Sequence, residues 1–309
     1  MRNVAFIFPG QGSQSIGMGK DFYDNSNLAK ELIEEASERI GVDFKKLMFE
    51  ENEMLLQTEY TQPAILLVSM IAKKILSSFV DLKPFCALGH SLGEFSALSS
   101  IDALDIIDGV ELVHNRGKFM QQASKGIDAA MLAVLGLDDN IVERICKEAN
   151  RDKKRVWPAN YNSDGQIVLA GVKEDLVWIE NSLKEAGAKK LVLLNMSVAS
   201  HCPLLESARE PLREYLDRFI KDSFSSSVIS NVAAKEYSTK KEALELLDKQ
   251  LVEPVLYKQS IKNIENRVDI FIEFGGVVLK GLNRRITKTP TISITNMSNL
   301  EKVAKELQN

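Results

Sequence analysis

The amino-acid sequence predicts an α/β fold, a parallel sheet assembled from strands and helices in alternation, with a compact unit of a different pattern inserted into it. Three observations lead there. Short β-rich apolar runs bounded by Gly or Pro, at 4–8 and 85–88, alternate with helical periodicity at 25–40, 61–79 and 105–123, and strands joined through helices pair in parallel. Between 129 and 194 the order becomes strand, helix, strand, strand, helix, strand. The length of 309 residues exceeds one average domain and leaves room for a large unit and a smaller one.

Taken in order, Val4-Ala5-Phe6-Ile7-Phe8 reads as a buried first strand, because it is apolar throughout and runs into the turn formers Pro9-Gly10. It is too short for the apolar stretch of a secretory signal. A helix over 61–79 contains a largely apolar run of nine residues from Ala64 to Ala72 before Lys73-Lys74, about half the length of a bilayer span, so it belongs inside the protein. Past Gly126 a strand at 129–135, a helix at 138–149, strands near 156–161 and 165–171, a helix at 173–186 and a strand at 189–194 make a βαββαβ unit, the split ferredoxin-like arrangement. Helix 203–220, strand 228–232, helices 240–249 and 254–263, strand 268–273 and a strand-like run at 291–295 resume the longer pattern. The expected organisation is a large unit of residues 1–126 and 198–309 carrying a small inserted unit, 127–197, with a cleft between them as the binding site.

Composition narrows the function classes. With 45% apolar and 27% charged residues the chain is an ordinary globular sequence, folded throughout. Lys plus Arg number 39 against 43 for Asp plus Glu, a net charge of -4, so neither nucleic acid nor a membrane is expected as a partner. Cys86, Cys146 and Cys202 have neither an even count nor metal-ligand spacing, which suits reduced thiols in a cytoplasmic protein with no metal site.

The chemistry is concentrated at Phe85-Cys86-Ala87-Leu88-Gly89-His90-Ser91-Leu92-Gly93-Glu94, an apolar strand followed by Gly-x-Ser-x-Gly and then a helix. This is the sequence of a nucleophile elbow, in which the glycines admit close neighbours and the serine sits on a strained turn facing a cleft. The bland alternative is a serine that only caps a helix. At that helix start the Leu92 N–H can stabilise a developing oxyanion. A serine hydroxyl needs a base, and the chain has three histidines. His90 adjoins the serine and must point away from it, and His114 lies within an amphipathic helix. His201, in the loop Ser200-His201-Cys202-Pro203, is left as the favoured base. Nothing in the spacing singles out an acid between 91 and 201, so a dyad with a neutral group orienting His201 is the economical reading. The glycine-rich loop Pro9-Gly10-Gln11-Gly12-Ser13-Gln14 lacks the Walker lysine and the dinucleotide spacing, and suits a second oxyanion donor better than a phosphate site. Arg116 is either a surface ion-pair partner or a cleft fork for a substrate carboxylate, and composition does not decide between them.

These motifs resemble the bacterial malonyl-CoA:acyl carrier protein transacylases of fatty acid synthesis. The resemblance runs through Phe8-Pro9-Gly10-Gln11-Gly12-Ser13-Gln14, Thr61-Gln62-Pro63-Ala64, Gly89-His90-Ser91-Leu92-Gly93-Glu94, Arg116-Gly117-Lys118-Phe119-Met120-Gln121, Ala159-Asn160-Tyr161-Asn162, Ser200-His201-Cys202-Pro203 and Gln250-Leu251. It implies a large α/β-hydrolase-like subdomain with an inserted ferredoxin-like one. It also implies an acylated Ser91, His201 as general acid and base, Arg116 on the malonyl carboxylate, backbone N–H groups of Gln11 and Leu92 as oxyanion hole, and the Gln250 carbonyl as the group that orients the histidine. The implied partners are malonyl-CoA and acyl carrier protein. No cofactor is expected, coenzyme A thioester being a substrate, and the chain is expected to be a monomer. Glu273-Phe274-Gly275-Gly276-Val277-Val278-Leu279 departs from the family's usual Gly-Pro-Gly-Lys before Val-Leu. Lys189, Lys190, Arg284 and Arg285 are candidates for a local basic surface that would meet an acidic carrier. Two other readings compete: a serine esterase or thioesterase, which the bare Gly-x-Ser-x-Gly would suit, and a noncatalytic carrier-binding scaffold with a vestigial site.

Overall fold

The computed structural model describes residues 2–194, 196 and 198–308. Strand β1 (Val4–Phe8) sends Val4, Phe6 and Phe8 into one apolar core and Ala5 and Ile7 into another. Burial on both faces is why it reads as an unbroken apolar run. Helices α1 (Lys20–Asn25), α2 (Asn27–Ile40) and α3 (Phe44–Phe49) lead to α4 (Thr58–Phe79). Helix α4 is apolar and long enough to cross a membrane by composition, yet 72% of its most apolar stretch is buried inside the protein, as a core helix. Strand β2 (Cys86–Gly89) then lies parallel to β1, Phe8 opposite Gly89, and is followed by α5 (Gly93–Ser100) and α6 (Ile106–Ala123).

The next elements are β3 (Ala129–Leu135), α7 (Asp139–Arg151), β4 (Val156–Ser163), β5 (Gln166–Val172), α8 (Lys173–Glu185) and β6 (Lys190–Leu194). They form a second, antiparallel sheet that, among the described residues, has the order β4-β5-β3-β6. Alternation along β3 gives it two different faces. Ala130, Leu132 and Val134 pack with Val142, Ile145, Leu176 and Ile179 of its own two helices, whereas Met131 and Ala133 pack toward Ala199 and Cys202, the neighbours of His201. The inserted sheet thus covers the loop that carries His201.

After a 3-10 turn at Pro203–Ala208, the chain runs through α9 (Arg209–Phe219), β7 (Ser227–Ile229), β8 (Glu236–Tyr237), α10 (Lys240–Gln250), α11 (Tyr257–Ile264), β9 (Ile270–Phe274), α12 (Val278–Asn283), β10 (Thr291–Ile294) and α13 (Met297–Gln308). Among the described residues the main sheet has the order β10-β9-β1-β2-β7-β8, parallel throughout except for the antiparallel edge pair β7 and β8.

Several boundaries differ from the sequence expectation for physical reasons. The helix expected at 254–263 begins at Tyr257, because Val255 is extended and pairs with Asn160 of β4, exchanging backbone bonds with Ala159 and Tyr161 at 2.8 and 2.9 Å. The helix expected from 203 opens as a 3-10 turn led by Pro203. Helices α1, α3, α12 and α13 lie outside the sequence reading. The expected end of the insertion, Ser197, lies outside the described residues. At the segment that departs from the family pattern, the buried Glu273 carboxylate accepts the N–H groups of Leu279 and Lys280 at 2.8 and 3.0 Å and the Ser293 hydroxyl at 2.8 Å. A carboxylate from the preceding strand therefore satisfies the exposed donors at the start of α12, and the loop shapes the fold without reaching the cleft.

Candidate active site

Strands β1 and β2 end side by side, so the loop that holds Gln11 and the turn that holds Ser91 are adjacent at the carboxyl edge of the sheet, where α/β folds place their ligands. The elbow is tighter than any side chain allows: a Cβ on Gly89 would lie 2.0 Å from the backbone of Gly93, and one on Gly93 would lie 2.1 Å from the Phe8 carbonyl. Ser91 at its apex takes a left-handed φ of 54°, an energetically costly conformation for a residue with a side chain. Asn231 and Gln250 hold it there. The Asn231 Oδ1 accepts the Ser91 N–H at 2.7 Å, and Gln250 Nε2 donates to the Ser91 carbonyl at 3.1 Å.

His201 is the second strained residue, with φ 62°, and it is buried. Its Nδ1 lies 2.6 Å from the Gln250 carbonyl and its Nε2 lies 2.7 Å from Ser91 Oγ. A carbonyl only accepts, so Nδ1 carries the proton and Nε2 is left to accept from the serine hydroxyl. Gln250 is the last residue of α10, and its carbonyl is one of those that a helix end leaves without an internal partner. Burial, reinforced by the positive charge of Arg116, pushes the imidazole down to about 3, so the ring is neutral at ordinary pH.

Arg116 is 1% exposed and stacks over the Phe95 ring. Its Nη1 donates to Gln62 Oε1 at 2.7 Å, and its Nη2 donates to Gln250 Oε1 at 3.0 Å and to Ser91 Oγ at 3.4 Å. These acceptors are neutral, and the Nε–H has no partner among the described residues. Burial lowers the guanidinium to about 10, against the opposing pull of Glu94, so it stays charged. The close seam of α4 and α6 sets Gln62 and Arg116 face to face. Pro63 offers no N–H to the Glu59 carbonyl, and His114 Nδ1 donates to that carbonyl instead at 2.8 Å. The Glu59 N–H goes to Gln121 Oε1 at 2.8 Å, and a Cβ on Gly117 would lie 2.5 Å from Glu59 Cα, so only glycine lets the helices approach this far.

Leu92 precedes the first turn of α5, and neither its N–H nor that of Gln11 has a protein partner among the described residues. Both residues line a cleft of about 120 Å³. The loops after β1 and β2 supply Gln11, Ser91 and Leu92, the loop after β6 supplies His201, and Met131, Asn160, Asn162, Val168 and Leu194 of the inserted sheet line the rest. His90 also lines this cleft, but its ring bonds Asn162 Oδ1 at 2.8 Å instead of Ser91.

All six residues singled out from sequence are thereby drawn to one place. Ser91, His201, Arg116 and Gln250 are linked by hydrogen bonds, and Gln11 and Leu92 border the same space. Sequence reasoning assigns no role to Gln62, Glu94, Asn231 or Tyr237, which complete the polar surroundings. For Glu94 a signal exists, since it is the lone charge in an α5 otherwise made of apolar and small residues. For Asn231, 140 positions from Ser91, none does. Lys189, Lys190 and Arg285 are exposed and border one groove with Asp138 and Asp164, and Arg284 is exposed beside them.

Residues 5–302 match the acyl transferase domain family. The chain is 37% identical to the malonyl CoA-acyl carrier protein transacylase of Staphylococcus aureus, covering 98% of both. It superposes on the crystal structure of malonyl-CoA:acyl carrier protein transacylase from Helicobacter pylori with a TM-score of 0.97 at 49% identity, covering 100% of this chain and 99% of that one. It also resembles a malonyl-transacylase solved in complex with its type II PKS acyl-carrier protein, with a TM-score of 0.94, 33% identity and coverage of 98% and 99%.

Proposed function

The chain belongs to the acyl transferase domain family, and from that premise we propose that it is an [acyl-carrier-protein] S-malonyltransferase, moving a malonyl group from malonyl-CoA to the pantetheine thiol of acyl carrier protein for fatty acid elongation. Its identity of 37% and 49%, over nearly the whole length, to proteins named malonyl-CoA:acyl carrier protein transacylase supports the reading. The observation that carries it is the buried Arg116. Among the described residues its guanidinium hydrogen-bonds only neutral groups and lies within 3.4 Å of Ser91 Oγ, so a carboxylate on the acyl group would find a fork with no direct ion pair beside the nucleophile.

In the proposed mechanism His201 Nε2 takes the Ser91 proton as Oγ attacks the thioester carbonyl. The oxyanion rests on the N–H groups of Gln11 and Leu92. Collapse breaks the C–S bond, and the imidazolium returns its proton to the leaving sulfur as free coenzyme A. In the second half the pantetheine thiol gives its proton to His201 and attacks the malonyl-Ser91 ester. Breakdown of that adduct returns the proton to Ser91 Oγ. The Gln250 carbonyl keeps the imidazole in the required tautomer throughout. The steps call on no metal or cofactor. Residues 127–197 are taken as the inserted subdomain and 1–126 with 198–309 as the large one, and the enzyme as a cytoplasmic monomer that engages neither membrane nor nucleic acid. The groove of Lys189, Lys190 and Arg285, with Arg284 beside it, is taken as the landing surface for the acidic carrier.

Two half-reactions followed separately test this. Malonyl-CoA with holo carrier is expected to give malonyl-carrier with ping-pong kinetics. Lys190→Glu with Arg285→Glu is expected to raise the KM for carrier about tenfold, the cost of two opposed rim charges, with little effect on acylation by malonyl-CoA. Free malonate as the product with carrier present would favour a thioesterase instead.

A further inference from the structure

The polar network continues past Gln250. That amide lies between two charges: its Oε1 accepts from Arg116 at 3.0 Å, and its Nε2 donates to Glu94 Oε2 at 2.7 Å. Glu94 is 1% exposed and sits one turn beyond Ser91 on α5. It also accepts the Asn231 N–H at 3.1 Å and the Tyr237 hydroxyl at 3.0 Å. Asn231 in turn bonds the Ser91 N–H and, through Nδ2, the Gly89 carbonyl at 2.7 Å. One buried carboxylate therefore braces the elbow on one side and the arginine's amide on the other.

The Gln250 amide has one consistent direction: its nitrogen faces Glu94 and the Ser91 carbonyl, which accept, and its oxygen faces Arg116, which only donates. The opposite orientation would set two N–H donors against the guanidinium and oxygen against oxygen. Placing the negative charge one amide away also matters. A direct ion pair would fill the donors that a substrate carboxylate needs, whereas a charge relayed through Gln250 compensates the buried guanidinium and leaves it open. Burial pushes the Glu94 carboxyl up to about 7, with the Gln250, Asn231 and Tyr237 bonds and the charge of Arg116 holding it down.

We propose that Glu94 is a positioning residue for acyl selectivity: through the side chain of Gln250 it sets the guanidinium of Arg116 to receive an acyl carboxylate. This rests on the reading of Arg116 as the carboxylate clamp. The test is the near-isosteric Glu94→Gln, which removes the negative charge behind the Gln250 amide while the Ser91 carbonyl and Arg116 keep that amide's direction. Single-turnover acylation is measured with malonyl-CoA and with acetyl-CoA, which has no carboxylate, for wild type, Glu94→Gln and Arg116→Ala, with circular dichroism and melting to verify folding. The expected result is a malonyl-to-acetyl ratio of kcat/KM about tenfold lower in Glu94→Gln, carried mainly by the KM for malonyl-CoA, as fits the loss of charge from one hydrogen bond behind the guanidinium. Gln250→Glu, which puts a carboxylate directly on Arg116, is expected to lower the same ratio and serves if Glu94→Gln does not fold. A ratio unchanged in both variants while Arg116→Ala collapses it would overturn the role of Glu94 alone. A ratio unchanged in Arg116→Ala would remove the clamp, and this proposal with it.

Discussion

At the scale of single residues, Ser91 and His201 share an unusual feature: both non-glycine side chains hang from left-handed backbone, and both are pinned by partners from distant parts of the chain. Strain held this way concentrates where a site needs a fixed direction. The neutral state of His201 has a measurable consequence. Its folded-state value is depressed to about 3, below the ordinary 6.5, so in the range between them the unfolded chain takes up a proton that the native one refuses. Stability from this group is present above pH 6.5 and is lost as pH falls, by up to about 1.4 kcal/mol per pH unit. Between about pH 7 and pH 5 the melting temperature of wild type is therefore expected to drop further than that of His201→Gln; parallel thermal melts at the two pH values check it, and equal drops would contradict the buried neutral ring. The turn at Ser91 was legible because Gly-x-Ser-x-Gly between a strand and a helix calls for a tight elbow, which the close contacts of Gly89 and Gly93 and the φ of Ser91 display. The placement of His201 beside Ser91 was legible by elimination among three histidines. Asn231 was not, since an asparagine that braces a turn 140 residues away leaves no local trace.

At the scale of elements, two helix ends do opposite work. Among the described residues the start of α5 leaves the Leu92 N–H open and the end of α10 leaves the Gln250 carbonyl to His201, so unsatisfied backbone groups that any helix has give an imidazole its acceptor and, in the proposed mechanism, an oxyanion its donor. Beside them, the α4 and α6 seam depends on a substitution of partners at Glu59, where His114 replaces the N–H that Pro63 lacks. His114→Ala is expected to destabilise the protein by about 1–3 kcal/mol through the orphaned carbonyl. In a Pro63→Ala background, which restores the helical N–H, the same change is expected to cost clearly less. Urea denaturation of the four proteins in this cycle measures the coupling, and strictly additive losses would contradict the account. Strand and helix alternation could be read from periodicity for long elements. The short α1, α3 and α12 have too few turns to show it, and the strand expected at 228–232 shrinks to Ser227–Ile229 because its continuation turns back to pair as β8.

At the scale of the whole molecule, the cleft exists because two sheets with different pairing rules face each other. The parallel sheet presents Ser91 at its carboxyl edge, and the antiparallel one lays an apolar face and two asparagines over it. An ester formed on Ser91 would lie in a space of about 120 Å³ walled by Met120, Met131, Val168 and Leu194, which disfavours water and favours a tethered thiol as the second acceptor. The βαββαβ order of the insertion was visible in the sequence, whereas the pairing of Val255 with β4, which ties the two sheets together, was hidden in a stretch with helical composition. The central claim is a covalent one, and the most direct measurement is intact-protein mass spectrometry after brief exposure to malonyl-CoA, with the modified peptide identified after digestion. The account predicts a malonyl adduct on the peptide that contains Ser91, absent from Ser91→Ala and discharged by holo acyl carrier protein. Transfer to carrier that proceeds with no adduct under acid quench, or with full activity in Ser91→Ala, would contradict it.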